Sequence, residues 1–266
     1  MWTRGIAMKT QWDPKQYDKF KQQRSAPFYD LMQMVKTGTM DFAIDLGCGT
    51  GELTRQLFDQ LKPARLLGID SSREMLVQSA NWAVPGLSYE LRDITDFQPD
   101  AAPDLLFSNA TLQWLPEHER LIPRLLDWVR PGGQVAIQVP FNFDHPSHQI
   151  AAAVASRLFP AVFADGQFSV IRTLTVERYA ELLFANGFAQ QNCRIQVYGH
   201  PLPSGADVIE WTKGTLLTGY QRRLSPEQFS LFFDTYRREL LDALGTGPYY
   251  YAFKRILLWG RKNPRG

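Results

Sequence analysis

The segment Asp45-Leu46-Gly47-Cys48-Gly49-Thr50-Gly51 constrains this chain more than any other. It follows a short apolar run, FAIDL (42–46), and leads into an amphipathic stretch that opens at Glu52. Three alternating glycines at a strand-to-helix junction let the backbone take unusual dihedrals and approach a ligand with no side chain in the way. Such a loop is a nucleotide-type binding edge.

The ligand can be narrowed from the neighbouring residues. Counting from Gly47, the position where a dinucleotide fingerprint places its third glycine is Glu52, and an acid there suits a pyrophosphate poorly. No Walker lysine follows. The ligand is therefore expected to carry a ribose but little phosphate. Asp70 ends the next apolar run, RLLGID (65–70), where a carboxylate can accept hydrogen bonds from two ribose hydroxyls. S-adenosyl-L-methionine, a nucleoside with a cationic sulfonium and an amino-acid end, meets this demand. The plainer reading is a tight turn, with Asp70 capping the following helix. The acid before the loop, the acid after the second strand and the strand–helix order together favour the cofactor.

Between residues 41 and 140, short apolar runs alternate with amphipathic stretches, the pattern of a parallel sheet covered on both faces. Strands are expected at 42–46, 65–70, 87–91, 104–109 and 134–140. Asp13 and Pro14 read as an N-cap and first helical residue, opening a helix through Tyr17, Phe20 and Arg24 that ends before Pro27. Beyond Pro140 the alternation weakens. AAAVASRLF and VERYAELLFANGF read as helices, NCRIQVYGH as a strand, SPEQFSLFFDTYRRELLDAL as a helix capped by Ser225, and PYYYAFKRILLWGRK as a strand. The expected fold is α/β, doubly wound, in one compact domain. Residues 1–40 form an N-terminal helical segment, 41–140 the α/β core, and 141–266 the rest of the sheet with helical cap insertions.

Composition sets outer bounds. With 29 basic against 27 acidic residues, the chain has no charge excess of the kind that binds nucleic acid independently of sequence. Two cysteines, Cys48 and Cys193, are too few for a disulfide scaffold and lie in no metal-ligating pair, so no metal is expected. No run approaches the about 20 apolar residues of a membrane span, and the N-terminus lacks a signal-peptide core. A cytoplasmic protein with no membrane or obligatory protein partner is expected, starting at Met1 or Met8.

DLGCGTG, followed by GIDSS with Met75, then RDI (92–94) and RPGG (130–133), resembles the motif series of class I methyltransferases. That resemblance implies a Rossmann-like seven-stranded sheet. It places Asp45, Gly47, Gly49 and Gly51 at the methionine end of the cofactor, Asp70 and Ser71 at the ribose, Asp93 and Ile94 at the adenine, and Met75 among the cofactor contacts. Asn109 would face the reaction centre. WDPKQYDKFKQQR, SNATLQWLPEH (108–118), QVPFNFDHPSH (138–148), VIEW (208–211) and FKRILL (253–258) are together similar to the trans-aconitate methyltransferase family, from about Trp12 to Lys262. By that resemblance the N-terminal helix closes over the cofactor with Tyr17 and Arg24 in contact. Gln113, Trp114, Asn142 and His148 border the substrate pocket, joined by Trp211 and Arg255. Trp114 and Trp211 read equally well as core aromatics, His148 as a helix cap, and Arg255 as the partner of a buried acid. Where family members tend to carry a Gly-Leu-Arg-Pro pattern, this chain reads KGTLLTGYQRRL, with Thr218 in place of the arginine and Lys213, Arg222 or Arg223 as substitutes.

A carboxylate with a reference pKa of about 4 is already an anionic nucleophile at neutral pH. Methylation of a small acid therefore calls for positioning and no general base, which agrees with the lack of an obvious dyad. An amine, phenol or carbon acid would need one, with His148 or His145 the first suspects. Two other activities fit the motifs: methylation of a carrier-bound acyl chain, and a non-catalytic role as an assembly factor.

Overall fold

The computed structural model describes residues 21–164, 173–214 and 216–264, with side chains from Ser25 onward. The expected contacts of Tyr17 and Arg24 lie outside the described side chains. In chain order the elements are α1 (Lys21–Met34), β1 (Phe42–Leu46), α2 (Glu52–Leu61), β2 (Arg65–Asp70), α3 (Arg73–Ser79), β3 (Leu87–Leu91), β4 (Leu105–Asn109), α4 (His118–Trp128), β5 (Gln134–Pro140), α5 (Pro146–Leu158), α6 (Pro160–Phe163), α7 (Val176–Ala185), β6 (Gln190–Leu202), α8 (Ala206–Lys213), α9 (Leu216–Gln221), α10 (Pro226–Leu244) and β7 (Tyr249–Arg261).

The strands form one seven-stranded sheet in the order β3-β2-β1-β4-β5-β7-β6. The first five are parallel, and β7 runs antiparallel to β5. From β1 the chain builds outward through β2 and β3 on one side, then returns to lay β4 and β5 on the other. The carboxyl ends of β1 and β4 therefore flank the topological switch point, where open α/β sheets hold their ligands. This is the doubly wound architecture expected of the sequence. β1 and β5 are buried almost throughout, as strands covered on both faces must be.

The described residues divide into two compact units. One carries the core of the sheet, on residues 26–143, 173–200 and 252–264. Its apolar side chains form two clusters. Ile44, Leu106, Ile137, Leu125 and Tyr179 belong to one, and Phe28, Leu31, Phe107, Ala136 and Leu257 to the other. The second unit is mainly helical. There α10 opens on a capping box in which Ser225 and Gln228 satisfy each other's backbone amides, with Pro226 in the first turn. Tyr220, Phe232 and Tyr236 stack in series at 4.7 and 5.9 Å.

Helix α1 departs from the sequence expectation. It does not end before Pro27 but runs through it to Met34. Proline in a helix interior removes one backbone donor and crowds the preceding turn. Here the burial of Phe28, Leu31 and Met34 along one stripe, with Phe28 edge-on to Phe107 at 5.5 Å, carries the helix past it.

The amino ends of β1 and β4 are joined by one carboxylate. Asp104, buried, accepts from the backbone N–H groups of Asp41 (2.8 Å) and Phe42 (2.9 Å) and from Arg130 Nε (2.5 Å). Burial alone would raise its pKa. The Phe42 amide, Arg130 and the Asp41 amide outweigh that and hold it below the usual carboxylate range. Asp104→Ala strands both amides and the guanidinium, so a loss of about 2–4 kcal/mol is expected in chemical denaturation. Because the folded-state pKa is depressed, the stabilisation is complete above the ordinary carboxylate pKa. It disappears as pH falls through the lower folded value, and the variant's acid-unfolding curve is correspondingly flatter.

Candidate active site

The glycine loop leaves β1 and turns into α2. Gly47, Gly49 and Gly51 have φ of 76°, 56° and 80°, in the left-handed region that disfavours other residues. A Cβ on Gly47 would lie inside the Thr111 side chain, and one on Gly51 would come 2.7 Å from Ser79 Cβ and 2.9 Å from the Tyr89 ring. A Cβ on Gly49 would meet nothing within 4 Å. Two glycines thus close the loop onto its supports, and the middle one faces open space.

Asp70 holds the loop from the neighbouring strand. Its Oδ2 accepts from Gly49 N at 2.9 Å and its Oδ1 from Ser72 N at 2.8 Å. It does not cap α3; Ser72 does, accepting from Met75 N. Each carboxylate oxygen of Asp70 retains acceptor capacity for a further donor. Ser71 is exposed and Met75 half-buried beside it. After β3, Asp93 Oδ1 accepts from the backbone and hydroxyl of Thr95 at 2.8 and 2.7 Å, which lowers its pKa, and Ile94 is buried. Arg124 braces this turn by donating to the carbonyls of Ile94 and Thr95.

Asp45 is buried and accepts one hydrogen bond, from Thr54 Oγ1 at 2.6 Å. Burial pushes its pKa up to about 7, partly countered by Thr54 and reinforced by Asp70. Burial also raises the Cys48 thiol, with Asp45 and Asp70 adding to it, so Cys48 is neither thiolate nor nucleophile at neutral pH.

At the end of β4, Ala110 takes φ 53°, a strained value for a residue with a side chain. Its N–H donates to Gln138 O at 3.0 Å, and its carbonyl accepts from Gln113 Nε2 at 2.7 Å. The turn sets Asn109 and Gln113 at the switch point. Asn109 Oδ1, Gln113 Oε1 and both polar atoms of the Gln138 amide are buried with no hydrogen-bond partner among the described residues.

Asp45, Gly47, Gly49, Gly51, Asp70, Ser71, Met75, Asp93, Ile94, Asn109 and Gln113 thus gather along the carboxyl ends of β1 to β4. Trp114 follows on the same turn and is 58% exposed, so it is not a core aromatic. Asn142 lies beyond β5, its Oδ1 accepting from Lys254 N at 3.0 Å, which ties β7 to β5. Arg255, on β7 opposite Pro140, places its guanidinium 4.6 Å from the Phe253 ring centroid. His148 and Trp211 belong to the helical unit. Trp211 is 5% exposed and packs edge-on against Tyr251, as a core aromatic does. His148 is not the cap of α5; His145 is, accepting from Ser147 N at 3.1 Å. His145 Nε2 lies 2.9 Å from Tyr249 OH, and Ser147 Oγ lies 3.2 Å from His148 Nδ1. Burial, then His145, lowers the His148 pKa to about 4, with Asp144 opposing. His118 is a satisfied core residue, its ring nitrogens bonded to Tyr179 OH and Leu112 O.

The sequence reading missed Gln138, Ala110 and Thr111. Ala110 and Thr111 carry no motif signal. Gln138 did leave one, as one of two uncharged polar residues in a largely apolar central strand, QVAIQVP.

Residues 43–133 match a family model described as a methyltransferase domain. The trans-aconitate 2-methyltransferase of Deinococcus radiodurans is 41% identical over 92% of this chain and 96% of its own length. That of Acidovorax ebreus is 33% identical over 95% and 99%. Among solved structures, the YcgJ protein of Bacillus subtilis aligns with a TM-score of 0.60 at 13% identity, covering 89% of this chain and 99% of that one. Phosphoethanolamine N-methyltransferase 2 of Haemonchus contortus, in complex with S-adenosyl-L-methionine, aligns at 0.56 and 16% identity, covering 92% and 53%. Those two likenesses concern the fold.

A switch-point glycine loop on a seven-stranded sheet whose last strand is antiparallel defines a class I methyltransferase, and its cofactor is S-adenosyl-L-methionine. Within that class, the chain belongs to the trans-aconitate 2-methyltransferase family.

The open space over Gly49 and the orphaned Asn109 oxygen fit this cofactor. On the expectation that Asp45 meets the amino-acid end of the cofactor, its raised pKa would make binding pH-dependent. Without ligand the neutral carboxyl is favoured below about pH 7, whereas the cationic end of the cofactor favours the carboxylate. Calorimetric affinity for S-adenosyl-L-methionine is expected to weaken as pH falls from 8 to 6, by at most about tenfold per unit. Asp45→Asn should flatten that dependence.

Proposed function

We propose that this enzyme transfers the methyl group of S-adenosyl-L-methionine to a carboxylate oxygen of a small acid, trans-aconitate or a close relative, forming a methyl ester. The observation that carries this reading is similarity along the whole chain to proteins named trans-aconitate 2-methyltransferase. A cytoplasmic setting, without nucleic-acid, membrane or obligatory protein partners, belongs to the same reading. So does the division of labour suggested by the sequence, with residues 1–40 serving the cofactor and 141–266 the acceptor.

On this reading Asp45 and the glycine loop hold the amino-acid end of the cofactor. Asp70 and Ser71 take the ribose, and Asp93 and Ile94 the adenine, with Met75 beside them. Asn109 stands at the reaction centre. The bound cofactor supplies a methyl group on a sulfonium, already activated for displacement. What remains for the chain is to align a carboxylate with that methyl group and keep water out. A carboxylate needs no proton removed. His148 stays neutral above about pH 4 and is correspondingly weak as a proton acceptor.

Replacement of the family arginine by Thr218 leaves recognition of the acid's charge to other cations. Lys213 pairs with Glu210 at 2.5 Å, and Arg223 lies over the Phe163 ring at 5.3 Å. Arg222 is exposed, and Arg255 stands on β7.

Purified protein with S-adenosyl-L-methionine is expected to form S-adenosyl-L-homocysteine when given trans-aconitate. At saturating cofactor, turnover should be level from about pH 6 to 9, because the acid stays ionised throughout, and His148→Ala should lower kcat by less than about tenfold. A fall in turnover below pH 6.5 that the variant abolishes would instead assign His148 as a base. Silence on a panel of di- and tricarboxylic acids, with intact cofactor binding, would direct attention to carrier-bound acyl groups.

A further inference from the structure

Strand β5 carries two glutamines on the same face, Gln134 and Gln138, one at each end. Both are buried, at 4% and 0% exposure. Gln134 is fully engaged. Its Oε1 accepts from Lys36 N at 2.8 Å and Trp259 Nε1 at 2.9 Å, and its Nε2 donates to Lys36 O at 2.9 Å. Among the described residues, Gln138 has no side-chain hydrogen-bond partner at either polar atom. The same residue type, on the same face of the same strand, is thus a structural clamp at the amino end and an unanswered donor–acceptor pair at the carboxyl end. A buried amide with no partner is destabilising and rare in folded proteins. Its place beside the switch point identifies what it awaits.

The order of the sheet assigns the partner. The residues suited to adenine (Asp93, Ile94) follow β3, the ribose acid Asp70 ends β2, the glycine loop ends β1, and Asn109 ends β4. A nucleoside laid along this edge in that order reaches its sulfonium near β1 and β4. The next strand is β5, where Gln138 lies opposite Asn109 in register, and the one after it is β7, where Arg255 lies opposite Pro140.

Building on the carboxylate-methylating function, we propose that Gln138 is a specificity-determining contact for the methyl acceptor. Its Nε2 donates to a carboxylate oxygen of the acid, and its Oε1 accepts from water that enters with that group. The buried, unanswered side-chain oxygens of Asn109 and Gln113 on the same edge are acceptors, suited to the cationic cofactor and to water, which leaves the Gln138 amide N–H group as the donor to the carboxylate.

Gln138→Met keeps the shape and removes both polar ends. It is expected to raise the KM for trans-aconitate at least tenfold, about 1.4 kcal/mol, while the calorimetric Kd for S-adenosyl-L-methionine stays within threefold. The melting temperature should hold or rise, because no native hydrogen bond is lost. Gln138→Glu sets a like charge against the carboxylate and should raise KM further. Gln134→Met should do the reverse, lowering the melting temperature and leaving KM near the wild-type value. The inference is overturned if Gln138→Met and Gln138→Glu leave KM unchanged, if the loss appears in cofactor Kd instead, or if Gln138→Met melts lower as Gln134→Met does. Wild-type protein that binds the cofactor but methylates no acid would fail earlier, at the function itself, and would remove the ligand assigned to Gln138.

Discussion

The carboxylate of Asp70 ties the glycine loop to the start of the next helix, alongside the bonds that Gly47 N and Cys48 N donate to Ile69 O. One oxygen takes the N–H of Gly49 in the glycine loop and the other takes that of Ser72 at the start of the next helix. Charge-assisted bonds to backbone amides are among the stronger hydrogen bonds in a protein, and these two fix the mouth of the site across neighbouring strands. The loop can be held this way because Gly47 and Gly51 pack where no Cβ fits, which leaves Gly49 to face open space. Tyr89 closes the arrangement, its hydroxyl donating to Gly51 O at 2.9 Å.

Polarity is unevenly distributed across the sheet. At the amino ends of the strands, buried polar groups answer one another: Asp104 binds two amides and Arg130, and Gln134 binds Lys36 and Trp259. At the carboxyl ends, Asn109, Gln113 and Gln138 keep unanswered atoms, Ala110 is strained and Asp45 has its pKa pushed up to about 7. One edge serves stability. The other holds the perturbed groups and strain typical of a functional site.

Much of this architecture is legible in the chain. Strands 42–46, 65–70 and 134–140 stand where the apolar runs place them, because strands buried on both faces leave near-continuous hydrophobic stretches, and 87–91 also stands where expected, as a more exposed edge strand. Ser225 and Pro226 mark the start of α10 through purely local chemistry. Pro27 misleads because its local cost is outweighed by Phe28, Leu31 and Met34 packing into the sheet, contacts that no local rule registers. The exchange of roles between His145 and His148 at α5 likewise depends on side-chain geometry within one turn.

The sequence by itself determined the fold class, the cofactor and the acids that frame the glycine loop. Those depend on backbone freedom, strand periodicity and charge, all carried by residues close together in the chain. Only the tertiary structure decided that Gln134 and Gln138 are different in kind. They are chemically identical and share one strand, and what separates them is whether Lys36 and Trp259, distant in sequence, arrive to answer the amide.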